Sequence, residues 1–312
     1  MRVLIMGAGA VGGYCGAALA RGGHDVVFLA RGAHLAALQQ GGIAVRRRGE
    51  TLVTDPIRAV ASPSDAGMQP QLVLFSVKGY DTNGAIAALQ PVVDTNCAVL
   101  SVQNGIDGVA RLTGTFGRER VLPGTIMIWS TIASPGVIEE TGPFCRLILG
   151  EQSGVKTPRV AAIAAAFTAV EIEATVSVDP LLAIWQKFIG LAPHATITSI
   201  CESPIGPIRD TSEGLALYRT LISEVIAVGR AAGIALPDDA LESTLGMVQS
   251  IPASSKSSMQ HDFERRHRVE LDLLTGAVVR RGDEVGVPVP AFKSLYAALK
   301  VRALAFDGLA HS

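Results

Sequence analysis

Residues 2–12 read RVLIMGAGAVG, and this stretch decides the fold. Arg2–Met6 is a continuous apolar run of strand length. Gly7-Ala8-Gly9-Ala10-Val11-Gly12 then gives G-x-G-x-x-G, and the following YCGAALAR has helical spacing up to Gly22-Gly23, a natural stop. In such a turn the first glycine permits the tight bend and the second lets a pyrophosphate approach the backbone. The third lets helix and strand pack closely. Phosphate oxygens then meet the unpaired N–H groups that open a helix. Alone the pattern is weak. Between a strand and a helix it predicts dinucleotide binding by Gly7, Gly9, Ala10, Val11 and Gly12.

Working outward, Asp25–Ala30 (DVVFLA) reads as a second buried strand, and a helix over Ala33–Gln40 follows. Gln71–Lys78 and Ala98–Val102 repeat the strand pattern, with a helix near Thr82–Gln90 between them. Apolar, β-branched runs separated by helices imply a parallel sheet covered on both faces. From Val121 to Val178 the segments suggest antiparallel or edge strands around a helix near Pro158–Val170. After Asp179 the chain reads as helices: Leu181–Ile200, Ser212–Ala232, Asp238–Ser250, Asp262–Gly286 and Pro290–Leu304. The expected fold class is α/β: an N-terminal Rossmann-type dinucleotide-binding domain, 1–179, followed by an all-helical C-terminal domain, 180–312.

Two domains also suit the 312 residues. Apolar residues make up 48% and charged residues 18%, which excludes a disordered chain. A net charge of −1 supplies no field to recruit nucleic acid or an anionic membrane. The mean hydropathy of +0.36 raises a membrane question. The longest run free of charge and of Gly or Pro is only Val160–Val170, well short of the roughly 20 residues that span a bilayer. The apolar N-terminal stretch starts at once and is broken by glycines, unlike a signal peptide. Cys15, Cys97, Cys145 and Cys201 lie far apart with no C-x-x-C, so reduced thiols in a cytoplasmic protein are expected. His261 and His267 lack ligand spacing, so no metal is expected.

Arg31 follows the second strand, where an NAD-preferring site carries Asp or Glu for the ribose 2′-hydroxyl. A guanidinium there pairs with a 2′-phosphate, which favours NADPH as cofactor. The alternative is a surface arginine at a strand end.

Further blocks appear in a fixed order: LFSVKGYDT at 74–82, SVQNGID at 101–107, IWQKF at 184–188, SSMQHD at 257–262 and ELDLLTGAVVRRG at 270–282. With the glycine turn they resemble the ketopantoate reductases, NADPH-dependent 2-dehydropantoate 2-reductases of pantothenate biosynthesis, over nearly the whole chain. The resemblance implies that Lys187 is the catalytic lysine, donating a proton to the ketone oxygen as hydride arrives. It makes Glu270 the acidic partner. Lys78 and Asn104 fall at the cofactor and substrate junction, Ser258 on a substrate-binding serine, and Arg31 on the 2′-phosphate contact. Charge building on oxygen during hydride addition calls for a positioned acid, and a lysine on an otherwise apolar helix suits that task. Read without the resemblance, Lys187 could equally snorkel at the surface, and Glu270 could belong to a solvated charged face.

The chain also departs from the family. Asparagines four and eight residues after the lysine, and one in the following loop, are replaced by Leu191, Ala195 and Ile205. A pocket that exchanges amides for these residues should favour a more apolar 2-keto acid. Leu191 returns to the lysine's helix face, and so does His194, which either contacts substrate or serves as a structural group. The expected partner is a small keto acid, and the apolar helical domain is compatible with a homodimer. Two alternatives remain open: a dehydrogenase of the same build acting on another hydroxy acid or an opine-type imine, and a non-catalytic NADPH-binding sensor.

Overall fold

The computed structural model describes residues 1–142 and 145–307. Two compact units divide the chain: residues 1–103 with 108–183, and residues 104–107 with 184 onward. The short loop 104–107 therefore groups with the helices rather than with the strand before it.

The first unit opens with β1 (Arg2–Met6), α1 (Ala10–Arg21), β2 (Asp25–Leu29) and α2 (Gly32–Gly41). Next come β3 (Ile43–Arg47), β4 (Glu50–Thr54), β5 (Arg58–Val60), β6 (Leu72–Phe75), α3 (Thr82–Leu89), β7 (Ala98–Ser101) and α4 (Gly108–Phe116). It continues through β8 (Val121–Met127), β9 (Ser130–Ser134), β10 (Val137–Glu140), β11 (Arg146–Leu149), α5 (Pro158–Thr168) and β12 (Glu173–Val176). The main sheet has the order β12-β11-β8-β7-β6-β1-β2-β5. From β8 to β5 every pair is parallel, while β11 runs antiparallel to β8. Val3, Leu4, Ile5, Leu72, Val73, Leu74, Val99 and Leu100 expose no surface, because helices pack over the sheet. That is why these strands read as unbroken apolar runs.

The second sheet, β4-β3-β10-β9, packs against α1, so that helix is enclosed from two sides. At two of its positions the neighbours leave no room for a side chain. A Cβ at Gly16 would lie 2.4 Å from Phe28 of β2, and one at Gly13 would lie 3.1 Å from Ile138 of β10. The sequence reading assigns no strands to residues 43–60. Arg48 (φ 50°) and Gly49 (φ 82°) make the two-residue turn of the β3–β4 hairpin.

The rest of the chain is helical: α6 (Pro180–Cys201), α7 (Ile205–Arg209), α8 (Ser212–Ala231), α9 (Ala240–Ser250), α10 (Ser258–Glu264), α11 (Thr275–Val285) and α12 (Pro290–Asp307). Buried Glu224 of α8 accepts hydrogen bonds from the Ala291 and Phe292 N–H groups at 2.9 and 3.0 Å, satisfying the start of α12. The single helix expected over Asp262–Gly286 is instead two helices. Arg266 adopts φ 55°, its N–H donates to Phe263 O at 3.1 Å, and the His267 N–H donates to Asp262 O at 2.8 Å. This Schellman closure normally carries glycine, and here arginine fills the position, so the sequence gives no stop signal. The break puts Glu270 on the turn between α10 and α11, where Leu273 and Leu274 donate to its carbonyl at 3.1 Å.

The architecture is an N-terminal Rossmann-like parallel-sheet domain followed by a helical domain. Among the described residues, no helix is long and apolar enough to cross a membrane, and no group of three or more His, Cys, Asp or Glu could hold a metal.

Candidate functional site

In the first unit the glycine turn bridges β1 and α1, and each glycine answers a different constraint. Gly7 has φ +99°, and a Cβ there would meet the Val77 backbone at 2.9 Å. At Gly12 a Cβ would lie 2.2 Å from Gly7 O and 2.3 Å from Ser76 Oγ, whose hydroxyl donates to Gly7 O at 2.9 Å. At Gly9 a Cβ would meet nothing within 4 Å. That open space lies at the N-cap of α1, which receives no side-chain cap and has no acid in its first turn. The leading amides of α1, at Ala10, Val11 and Gly12, precede the helical hydrogen-bond ladder. Uncapped amides at the positive end of a helix, with room left by a missing side chain, fit the phosphates of a dinucleotide.

Arg31 forms the N-cap of α2, with a side chain 74% exposed and its guanidinium 3.9 Å from Asp81. An ion pair this exposed is weak, so the arginine is available to a stronger anion at little cost. Lys78 stands exposed just beyond β6. Behind it, Gln103 donates to Val77 O and Thr82 Oγ1, both at 2.9 Å, fixing the loop that carries the lysine.

The second unit contains a separate constellation. Lys187 lies on α6 with partial burial, and its ammonium donates to Asn104 Oδ1 at 2.9 Å. Burial pushes its pKa down to about 8, against the opposing pull of the Glu270 carboxylate. Glu270 is only 6% exposed. A hydrogen-bonded ammonium beside a buried carboxylate, titrating near neutrality, is arranged to give up a proton. The Asn104 loop is pinned by Asp107, which accepts from Arg280 at 2.9 Å and from Arg281 at 3.3 Å, both on α11. Sequence reading missed this clamp. The acid of SVQNGID and the paired arginines of GAVVRRG are charged signals within motifs already noted, but nothing in the sequence couples them.

Leu191 and His194 follow Lys187 at i+4 and i+7, and all three are partly exposed along one stripe of α6. Burial pushes the His194 pKa down to about 4, so the ring is neutral at pH 7, and its Nδ1 has no hydrogen-bond partner among the described residues. Thr198 Oγ1 links the His194 carbonyl (2.7 Å) to Ser257 Oγ (2.8 Å). Ser257 caps α10 by accepting from the Gln260 N–H at 3.0 Å, which leaves its neighbour Ser258 exposed at the first helical position. Ala195 and Ile205 are different. They are 1% and 0% exposed, so of the three apolar replacements only Leu191 shares the partly open stripe with Lys187.

Comparison with known proteins accords with this geometry. The family model described as ketopantoate reductase PanE/ApbA matches residues 3–154, and its C-terminal counterpart matches residues 179–303. The uncharacterised oxidoreductase YkpB of Bacillus subtilis (strain 168) is 30% identical over 96% of this chain and 98% of its own. A 2-dehydropantoate 2-reductase of Halobacterium salinarum is 31% identical over 95% of this chain and 96% of its own. The crystal structure of a PanE/ApbA family ketopantoate reductase from Ralstonia eutropha JMP134 superposes with a TM-score of 0.90 at 32% identity, covering 98% of this chain and 100% of that one. With both domain models matched and full-length relatives at this identity, the chain belongs to the ketopantoate reductase family, and it is an oxidoreductase.

Proposed function

We propose that this protein reduces a 2-keto acid to the 2-hydroxy acid with NADPH, the family reaction being 2-dehydropantoate to pantoate. The observation that carries the reading is the Lys187 ammonium, 2.9 Å from Asn104 Oδ1, with Glu270 beside it and a pKa of about 8. NADPH, when bound, supplies the hydride. As negative charge develops on the ketone oxygen, Lys187 delivers the proton that quenches it. Glu270 favours the charged form of the lysine and so keeps the donor loaded. Asn104 accepts one ammonium hydrogen and directs the other two. Ser258 and His194 are proposed substrate contacts, His194 as a neutral imidazole. On this reading residues 1–179 hold the cofactor and residues 180–312 the substrate. Four cysteines, none in a disulfide, suit a reducing compartment, and we place the protein in the cytoplasm.

Arg31 is proposed to select NADPH. Replacing Arg31 with Ala should lower the ratio of kcat/KM for NADPH over NADH on the order of 10- to 100-fold, the worth of one or two charge-assisted hydrogen bonds. Steady-state kinetics with both cofactors check this, and an unchanged ratio would refute the assignment.

Leu191 supports a more apolar substrate than the family default. NADPH oxidation should be faster with branched or aromatic 2-keto acids than with ketopantoate. Leu191→Asn should shift the kcat/KM ratio back toward ketopantoate, on the order of tenfold, by restoring an amide to the stripe. A wild-type enzyme that prefers ketopantoate, or a variant with an unmoved ratio, would remove Leu191 as the determinant.

A further inference from the structure

His34 lies in the first turn of α2, three residues after Arg31, and its imidazole is used at both ends. Nδ1 accepts from the Gly136 N–H at 3.1 Å, in the β9–β10 turn. A nitrogen that accepts carries no proton, so the proton sits on Nε2, which donates to Ala8 O at 2.8 Å. Ala8 is the second residue of the glycine turn, and its own N–H donates to Leu29 O at 2.7 Å, at the end of β2. The turn is thus tied to β2 on one side and to α2 on the other.

Besides the imidazole, α2 is held by Leu35, which packs partly buried against the core, and by a few further contacts. Leu38 is its only buried residue, its N-cap Arg31 makes no side-chain cap, and Gln39 adds one hydrogen bond to Ala59 O at 2.9 Å. Arg31, the N-cap of α2, follows β2 by two residues, and the Ala30 N–H donates to Val60 O at 3.2 Å, so the strand end is fixed on its own. The imidazole adds a side-chain link from the first turn of α2 to the glycine turn, which sets the direction in which the helix leaves the strand. A dinucleotide has a fixed span between its pyrophosphate and its ribose 2′ position. The separation between the glycine turn and Arg31 has to match it.

We propose that His34 is a positioning residue for the cofactor: by bridging Ala8 and Gly136 it sets that separation, and so sets the preference for a 2′-phosphate. The proposal rests on the reading of Arg31 given above. It assigns His34 no contact with the cofactor and no part in proton transfer. A mispositioned α2 weakens what Arg31 does, while the amides of α1 still meet the pyrophosphate. The loss should therefore fall on NADPH far more than on NADH.

The test measures dissociation constants for NADPH and NADH by nucleotide fluorescence, with wild type, His34→Leu, His34→Gln and Arg31→Ala in parallel. His34→Leu breaks both bonds and should weaken NADPH about tenfold, the worth of one lost buried hydrogen bond's geometry, and NADH by about twofold or less. The kcat at saturating NADPH should stay within about twofold. His34→Gln should recover most of the NADPH affinity, since its amide can donate to Ala8 O and accept from Gly136 N–H. His34→Asn, polar but too short to reach both partners, supplies the same comparison if the leucine variant does not fold. Equal losses for the two nucleotides, or none, would overturn the proposal and leave His34 a structural group. If Arg31→Ala left the NADPH preference intact, the 2′-phosphate reading would fall and this proposal with it. A shrunken preference in Arg31→Ala beside an unmoved one in His34→Leu would overturn the positioning role alone.

Discussion

Lys187→Ala is expected to lower kcat for keto-acid reduction by about 10²- to 10⁴-fold, the usual worth of a positioned general acid. The ammonium donates to Asn104 Oδ1 and feels the Glu270 carboxylate, so its removal deletes the proton source. Affinity for NADPH should be little changed, because the proposed phosphate contacts belong to the glycine turn and Arg31. Stopped-flow reduction at saturating NADPH, with nucleotide binding measured separately, resolves the two. Turnover within a few fold of wild type would end the proton-donor assignment.

The same residue fixes a pH signature. Burial holds the Lys187 pKa at about 8. A donor must be protonated, so kcat/KM for reduction should be level below that pH and fall tenfold per unit above it. Oxidation of the hydroxy acid needs the neutral amine and should rise over the same interval. Lys187→Arg keeps a cation that does not titrate in this range, so its residual activity should lack this basic limb. A wild-type profile flat from pH 7 to 10 would place the proton elsewhere.

How far the sequence anticipates this protein follows from what each signal encodes. The parallel sheet is legible because burial on both faces leaves continuous apolar runs, and the glycine turn is legible because each glycine meets a steric demand. The β3–β4 hairpin is not, since Arg48 occupies a left-handed turn position that favours glycine or asparagine. The break before Glu270 is hidden for a related reason: arginine closes a helix where glycine is usual. Both closures place an exposed arginine in a left-handed conformation that residue type does not announce. Motif order nominates Lys187, Asn104 and Glu270, and the structure brings them together, but the surroundings that tune them carry no sequence signal. No spacing rule pairs Asp107 with Arg280 and Arg281, and no pattern tells that Ala195 and Ile205 point into the helical core while Leu191 remains beside the lysine.

The glycine turn yields a prediction of comparable size, because two of its glycines should fail in different ways. Gly9 has φ −70° and ψ −159°, which alanine adopts, and a methyl there meets no heavy atom within 4 Å. Gly9→Ala should leave the melting temperature of the nucleotide-free protein nearly unchanged, a change of about 0.5 kcal/mol or less. The methyl would occupy the space through which phosphate reaches the helix amides, so NADPH binding should weaken on the order of a hundredfold, about 2.7 kcal/mol. Gly12→Ala should do the reverse in order of cause. Its methyl would sit 2.2 Å from Gly7 O and 2.3 Å from Ser76 Oγ, and the carbonyl belongs to backbone that cannot swing aside. Forcing β1 and α1 apart should cost about 1–3 kcal/mol of stability before any cofactor is added, lowering the melting temperature by several degrees. Cofactor affinity would then fall because the turn has moved. Differential scanning fluorimetry without nucleotide, followed by NADPH titration, separates the two variants. If Gly9→Ala bound NADPH like wild type, the phosphates would not approach at Gly9, and the assignment of this turn as the pyrophosphate cradle would fail.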